Sequence, residues 1–320
     1  MAEGNDCDVT VVIVNYNTRH LLAECLESLW RSSDGVRLQV VLIDNASRDG
    51  SPDFILERFA GRCDVVFNDA NVGFGRANNQ AVPLARGRHL LLLNTDAFVH
   101  RGSLAAAVAH LDDHPGVGIL GARLESRDGS LQPSCRYFPT PWNEFLLGTG
   151  LGRFFPRSRA VDDLKWDHRS LRACDWVPGC FYLVRREVVE QVGLFDPRFF
   201  LYYEEVDHCF AAKRAGWAVE YFPETTVVHL GGESAATDGP LEGASRQVSR
   251  LAIESAMLFH RKRYGRLGLL ALAGLTLLSD ALRSTRAVVR GRGAPGAGWK
   301  RSSVLFGLLG PTSFGLRPTR

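Results

Sequence analysis

Val9-Thr10-Val11-Val12-Ile13-Val14-Asn15-Tyr16 is a nearly unbroken apolar, β-branched run that stops at an asparagine. A run this short and this apolar reads as a strand buried on both faces, the kind found inside parallel sheets. After it, Leu22, Cys25, Leu26 and Leu29 share one helical stripe. Residues 39–45 form the next strand, and Ser51-Pro52 gives an N-cap with proline at the first helical position. Residues 64–68 and 89–96 add two strands, with helical stretches near 75–85 and 103–114. Strands separated by helices at this spacing predict an α/β fold with a mostly parallel, doubly wound sheet. In such sheets a ligand lies beyond the carboxyl ends of the strands.

The polar residues gather at those ends. The first strand ends in Asn15-Tyr16-Asn17, the second in Asp44-Asn45-Ala46-Ser47, the third in Asn68 followed by Asn71, Gly73 and Gly75, the fourth in Asn94-Thr95-Asp96. One such ending is an ordinary turn or helix cap. Four at the same edge predict a site. Residues 121–235 are less regular: strands are expected at 176–184, 219–222 and 226–230 and a helix at 204–215, supplying acceptor-side loops and more of the same sheet.

Four constellations carry chemistry. The run Asp44–Ser51 follows a strand and opens a helix, so its carboxylate can accept from the imide N–H of uracil or thymine, and its helix start can face a phosphate. Asp96, after the apolar strand of residues 90–93, is placed to bind Mg2+ or Mn2+. Glu204, Glu205 and Asp207 follow the aromatic stretch 199–203, where an apolar setting can tune a carboxylate into a general base. Glu204 and Asp207 share a helix face, with Glu205 about a quarter-turn away. His229 ends a strand beside glycines and is a possible metal ligand. Two motifs mislead. Residues 116–121 spell G-x-G-x-x-G but run into a strand rather than opening a helix, so the dinucleotide fingerprint fails its context. His110 and His114 lack the glutamate of a zinc-protease motif.

The net charge of +3 hides a split: residues 261–320 hold twelve Lys or Arg and one acid, Asp280. Arg261-Lys262-Arg263 and Arg266 precede a twelve-residue, largely apolar stretch at 267–278, and Arg283, Arg286, Arg290 and Arg292 follow. Spanning a bilayer takes about twenty apolar residues, so the expectation is a basic, helical extension lying on an anionic inner-membrane surface. Residues past 290 are expected to be partly disordered, with a second contact at 304–309. Aromatic readers interleaved with the charge are missing, which argues against a nucleic-acid partner. The first ten residues hold no apolar run, and the seven cysteines show no C-x-x-C pair. Both features predict a cytoplasmic protein with reduced thiols.

In order along the chain, Val12–Asn17, Asp44–Ser51, Asn71-Val72-Gly73-Phe74-Gly75 with Asn79, Leu92–Asp96, Gly193–Asp196, Phe199–Cys209 and Arg214-Ala215-Gly216-Trp217 resemble the family 2 glycosyltransferases, especially rhamnosyltransferase-like members, over about residues 9–235. The resemblance implies a GT-A-type, Rossmann-like mixed sheet over residues 1–260, with a nucleotide-sugar half to about 120 and an acceptor half after it. It implies inverting transfer of a sugar, with rhamnose the candidate, from a UDP- or dTDP-linked donor to a glycan or polyprenyl-linked acceptor in cell-surface polysaccharide synthesis. Carried over by position, Asn15, Tyr16 and Asp44 would hold the donor base, with Asn17 and Asn45 beside them. Gly73 and Asn79 would lie near the ribose. Asn94 and Asp96 would face the diphosphate, Asp96 holding the metal with His229 as second ligand. The base is left among Glu205, Asp207 and Glu204. Two other readings compete. A sugar-nucleotide pyrophosphorylase would carry a Gly-rich basic loop where Asn15–Thr18 stands. A catalytically silent sugar-nucleotide binder has no use for the acids at 204–207.

Overall fold

A computed structural model of the chain describes residues 7–158, 166–231, 241–291 and 301–320. In chain order its main elements are β1 (Val9–Asn15), α1 (Arg19–Ser32), β2 (Leu38–Asp44), α2 (Ser51–Arg58), β3 (Asp64–Phe67), α3 (Phe74–Gln80), β4 (His89–Leu93), β5 (Ala97–Val99), α4 (Ser103–Asp113), β6 (Val117–Glu125), β7 (Leu131–Gln132), α5 (Pro141–Thr149), β8 (Arg172–Ala173), β9 (Phe181–Arg185), α6 (Arg186–Val192), α7 (Glu204–Arg214), β10 (Ala218–His229), α8 (Leu241–Val289) and α9 (Arg301–Leu309). Contacts divide the chain into two units. The first takes residues 1–136, 161–197 and 204–244; the second takes 137–160, 198–203 and 245–320.

The first unit is built on one sheet in the order β3-β2-β1-β4-β9-β6-β10-β5. β1 to β4 pair in parallel, as the apolar runs require. β9 lies antiparallel between β4 and β6, and β5 is antiparallel to β10. The sheet is therefore mixed, as the resemblance implies, where strand spacing alone predicts a mostly parallel one: β9 enters opposite the last residue of β4, Leu93↔Phe181, and runs back. The two short strands expected at 219–222 and 226–230 are one strand, β10, with a register shift between Phe222 and Thr226. Pro223 sits at that shift, where its missing N–H takes no ladder bond away. Leu22, Cys25, Leu26 and Leu29 of α1 and Leu104, Ala107 and Leu111 of α4 are fully buried in one cluster with Val11, Ile13 and Leu91. Each such leucine contributes about 1.5–3 kcal/mol.

Both misleading motifs have structural explanations. A Cβ on Gly121 would lie 2.5 Å from the Val177 side chain, and one on Gly118 would lie 2.8 Å from Trp217 and Val188. These glycines let neighbours pack against β6. His110 bonds Glu220 at 2.8 Å and stacks on Phe222 and His114.

In the second unit, α8 breaks at Gly265 (φ 68°, ψ −158°). Ile253, Ala256 and Met257 before the break, Leu269, Leu272 and Ala273 after it, and Leu305 and Leu308 of α9 share one apolar cluster. Asp280 accepts from the Ser302 backbone N–H at 2.8 Å and from its hydroxyl at 2.7 Å, which caps the start of α9. Glu254 accepts from the backbone N–H and hydroxyl of Thr319 at 2.6 and 2.8 Å. The boundary read from charge at 260/261 thus falls inside α8. Residues 301–309 are helical where partial disorder was expected, because their apolar face is buried and their first turn is capped; residues 292–300 lie outside the described residues.

Candidate active site

β1 and β2 are in register at their last residues, Asn15↔Asp44. That register explains the first half of the site. Asn15 Nδ2 donates to Asp44 Oδ2 at 2.7 Å and to Ser47 Oγ at 3.0 Å. The Ser47 N–H donates to Asp44 Oδ1 at 2.9 Å. Asp44 is 1% exposed, so its carboxylate first organises the turn at 45–47. Two of roughly four lone-pair positions stay open to a further donor. Ala46 holds φ 68°, a strained value for a residue with a Cβ, and Asn17 holds φ 53°. Asn17 is fixed by its own N–H on Ser47 Oγ (2.9 Å) and by the Arg48 N–H on its Oδ1 (2.7 Å). Tyr16 lies half-buried between the two asparagines.

Asn45 extends the edge toward β3. Its Oδ1 accepts from Asn68 Nδ2 (3.0 Å) and the Val72 N–H (3.1 Å), and its Nδ2 donates to Asn71 Oδ1 (2.9 Å). Gly73 follows with φ 90° and ψ 162°, a conformation nearly confined to glycine. Asn79 uses both halves of its amide on the Phe195 backbone, at 2.7 and 3.0 Å. It pins residue 195, a role that the ribose assignment did not anticipate.

The edge continues through a contact that no motif announced. Thr18 Oγ1 donates to Asn15 Oδ1 at 2.8 Å and shares a 2.8 Å hydrogen bond with Thr95 Oγ1. Asp96 is next. β5 pairs with β10 so that Ala97 faces His229, which places His229 Nε2 3.7 Å from Asp96 Oδ1. The other Asp96 oxygen accepts from the Gly231 N–H at 3.1 Å. His229 is held from behind: its Nδ1 lies 3.0 Å from Gln132 Oε1, and its carbonyl accepts from Gln132 Nε2 at 2.8 Å. An amide oxygen can only accept, so Nδ1 carries the proton and the Nε2 lone pair turns toward Asp96. Burial lowers the His229 pKa against the opposing pull of Asp96, which favours the neutral form. Gly232, Glu233 and Ser234 lie outside the described residues.

Asp96 and Glu205 both act on one thiol. Burial pushes Cys180 up to about 12, and the charges of Asp96 and Glu205 add to the rise. The Asn94 N–H donates to the Cys180 carbonyl at 3.1 Å; its side chain is half-buried. Hydrogen bonds thus run from Asp44 through Asn15 and Thr18 to Thr95, the neighbour of Asp96. On α7, Glu204 and Asp207 are buried while Glu205 is half-buried. Burial raises the Glu205 pKa; backbone N–H groups and the positive charge of Arg136 oppose the rise. Arg136 sits 5.2 Å from the Trp176 ring. The helix is locked to β9 by Tyr182, whose hydroxyl meets His208 Nδ1 at 2.7 Å. Burial lowers His208 to about 4.

Thr18, Thr95, Gln132, Arg136 and Tyr182 are the residues that sequence reasoning missed. Only Thr18 and Thr95 carried a signal, each adjoining a strand-end asparagine or aspartate. All seven cysteines are buried free thiols. No group of three or more His, Cys, Asp or Glu side chains able to hold a metal occurs among the described residues. Asp96 and His229 fit a cation that completes its shell with substrate phosphates and water, the usual habit of Mg2+. The Gln132–His229 bond supplies the outer support that metal-binding histidines require.

A mixed Rossmann-like sheet with its polar side chains along one edge is the architecture of GT-A glycosyltransferases. A mannosyltransferase from Pyrobaculum calidifontis, solved with GDP-mannose and Mn2+, shares the fold at a TM-score of 0.55 and 20% identity, over 96% of this chain and 80% of that one. The chain belongs to glycosyl transferase family 2, whose family model matches residues 10–193, and it is a glycosyltransferase. It is 30% identical over 245 residues to the N-acetylglucosaminyl-diphospho-decaprenol L-rhamnosyltransferase of Mycobacterium tuberculosis, covering 71% of this chain and 78% of that protein. It is also 24% identical over 232 residues to the Escherichia coli rhamnosyltransferase WbbL, covering 69% and 83%.

Proposed function

We propose that the protein transfers rhamnose, with inversion, from a dTDP-linked donor to a hydroxyl of a polyprenyl-diphosphate-linked glycan at the inner face of the plasma membrane, in cell-wall polysaccharide assembly. The observation that carries this reading is the edge that runs from Asp44 through Asn15, Thr18 and Thr95 to Asp96 and His229. The two rhamnosyltransferases among the relatives support the sugar, and the decaprenol-linked substrate in one relative's name supports the acceptor.

The turn at 45–47, held by Asp44, shapes the donor-base end, with Asn15, Tyr16 and Asn17 beside it. Asn45 and Gly73 bring the 68–73 backbone close to the ribose, and Asn79 fixes its far wall through Phe195. Asn94 faces the diphosphate. Asp96 and the Nε2 lone pair of His229 would hold Mg2+ or Mn2+, which supplies charge neutralisation on the leaving diphosphate. Glu205 accepts the proton of the attacking acceptor hydroxyl. Its half-buried setting keeps it more basic than a solvated glutamate, and general bases contribute ~10²–10⁴-fold. Glu204 and Asp207, buried behind it, are the weaker candidates.

The test is a panel of nucleoside-diphosphate sugars offered with a polyprenyl-linked glycan, with and without Mn2+. Transfer fastest from dTDP-rhamnose and dependent on the ion is expected. Preference for a UDP-hexose would replace the sugar assignment, and ion-independent transfer would remove the metal.

A further inference from the structure

Large apolar side chains are unevenly exposed. Seventeen are exposed among the described residues, and thirteen of them belong to the second unit. The same unit holds eighteen Lys or Arg against three acids, a net +15, which leaves the first unit at −12. Six of the thirteen lie on one stretch of α8: Leu267, Leu270, Leu277, Leu278, Val288 and Val289, with Leu267 80% and Val289 81% exposed. At 100° per residue they fall within an arc of about 120°, and the stripe runs about 33 Å. The opposite arc carries Leu269, Leu272 and Ala273, buried against α9, and Asp280, which caps it. On the same wheel the exposed Arg266 lies about 20° from one edge of the stripe, whereas Arg286, Arg290 and Arg283 lie about 60–120° beyond the other edge, and Arg286 donates to the Thr149 carbonyl.

Resting on the membrane-bound acceptor proposed above, we infer that this stripe is an in-plane docking face for an anionic lipid surface and that α8 lies on the bilayer without crossing it. By length and composition alone the helix Arg250–Val289 is long and apolar enough to cross, yet a third of its most apolar stretch is buried within the protein. Crossing would strip Leu269, Leu272 and Ala273 from α9 and carry the Asp280 carboxylate into hydrocarbon, a costly placement. Lying flat keeps that face packed. It buries only the exposed stripe, with Arg266 at its edge, and the net +15 of the unit draws it to anionic lipid. The charge also selects the occupant. A second copy docking through this same face would bring two strongly basic surfaces together, whereas an anionic bilayer is complementary.

The test uses the full chain and vesicles of phosphatidylcholine alone or mixed with phosphatidylglycerol. Wild type is expected to cosediment with the anionic vesicles only and to be released by alkaline carbonate. The double variant Leu270→Glu, Leu277→Glu should bind on the order of a hundredfold more weakly, with an unchanged circular dichroism spectrum and unchanged transfer to a short, water-soluble acceptor. That last assay separates a failure of this inference from a failure of the transferase reading. Carbonate-resistant protein whose residues 301–320 are shielded from added protease on the outer side would mean a spanning helix and overturn the proposal. So would absent vesicle binding combined with a dimer that the double variant dissociates.

Discussion

The two units of this chain differ in almost every surface property. The first is acidic at −12, exposes four large apolar side chains among its described residues, and turns its polar groups inward onto one another. Asp44, Asn15 and Thr18 are almost completely buried, yet each has hydrogen-bond partners. The second is basic at +15 and exposes thirteen such side chains among its described residues. Its helices are held by a small apolar cluster and by two carboxylates, Glu254 and Asp280, used as backbone caps. The contrast teaches that chemistry and attachment are separable here. Substitutions in one unit should leave the other unit's property in place.

The sharpest way to break that separation is Asp96→Ala. Losing the carboxylate that faces His229 should cut ion-dependent transfer roughly a thousandfold, since such ions supply several kcal/mol, while vesicle cosedimentation stays at wild-type level. Lost vesicle binding would mean that the two properties are coupled. A smaller effect is expected from His208. Its pKa is lowered by burial to about 4 from 6.5. The unfolded chain therefore takes up a proton first, and stability present above about 6.5 is lost as pH falls toward 4. That loss is on the order of 3 kcal/mol. Urea unfolding of wild type and His208→Gln at several pH values should show a flatter pH dependence in the variant.

Gln132→Leu removes the acceptor that orients His229. Binding of Mn2+ with a nucleoside diphosphate, followed by electron paramagnetic resonance, should weaken about 10–100-fold. Unchanged affinity would free His229 from the metal role. The smallest effect is predicted for Asp280→Ala, which uncaps α9 and should cost about 1 kcal/mol of stability without lowering transfer to a soluble acceptor.

Much of the first unit was legible because its strands are short apolar runs that end in Asn or Asp. Asn15, Asp44 and Asp96 could be placed at one edge from that pattern alone. What escaped was everything set by pairing across long sequence gaps. The Ala97↔His229 pairing joins residues more than a hundred apart, and nothing local marks Gln132 or Arg136 as neighbours of the site. Periodicity is blind to an inserted antiparallel strand, so β9 turned a parallel expectation into a mixed sheet. The second unit was harder to read. It is assembled from three separate segments, and the boundary drawn from charge fell inside a helix whose apolar face binds residues on both sides of Gly265. Charge marks a surface, whereas packing marks a unit.

The account rests on Glu205 taking a proton beside a cation held by Asp96. The most direct test measures donor binding and transfer in parallel for Glu205→Gln in the presence of Mn2+. Donor affinity within about twofold of wild type, with transfer reduced ~10²–10⁴-fold, is predicted. Transfer at the wild-type rate would contradict the account and move the base to another side chain.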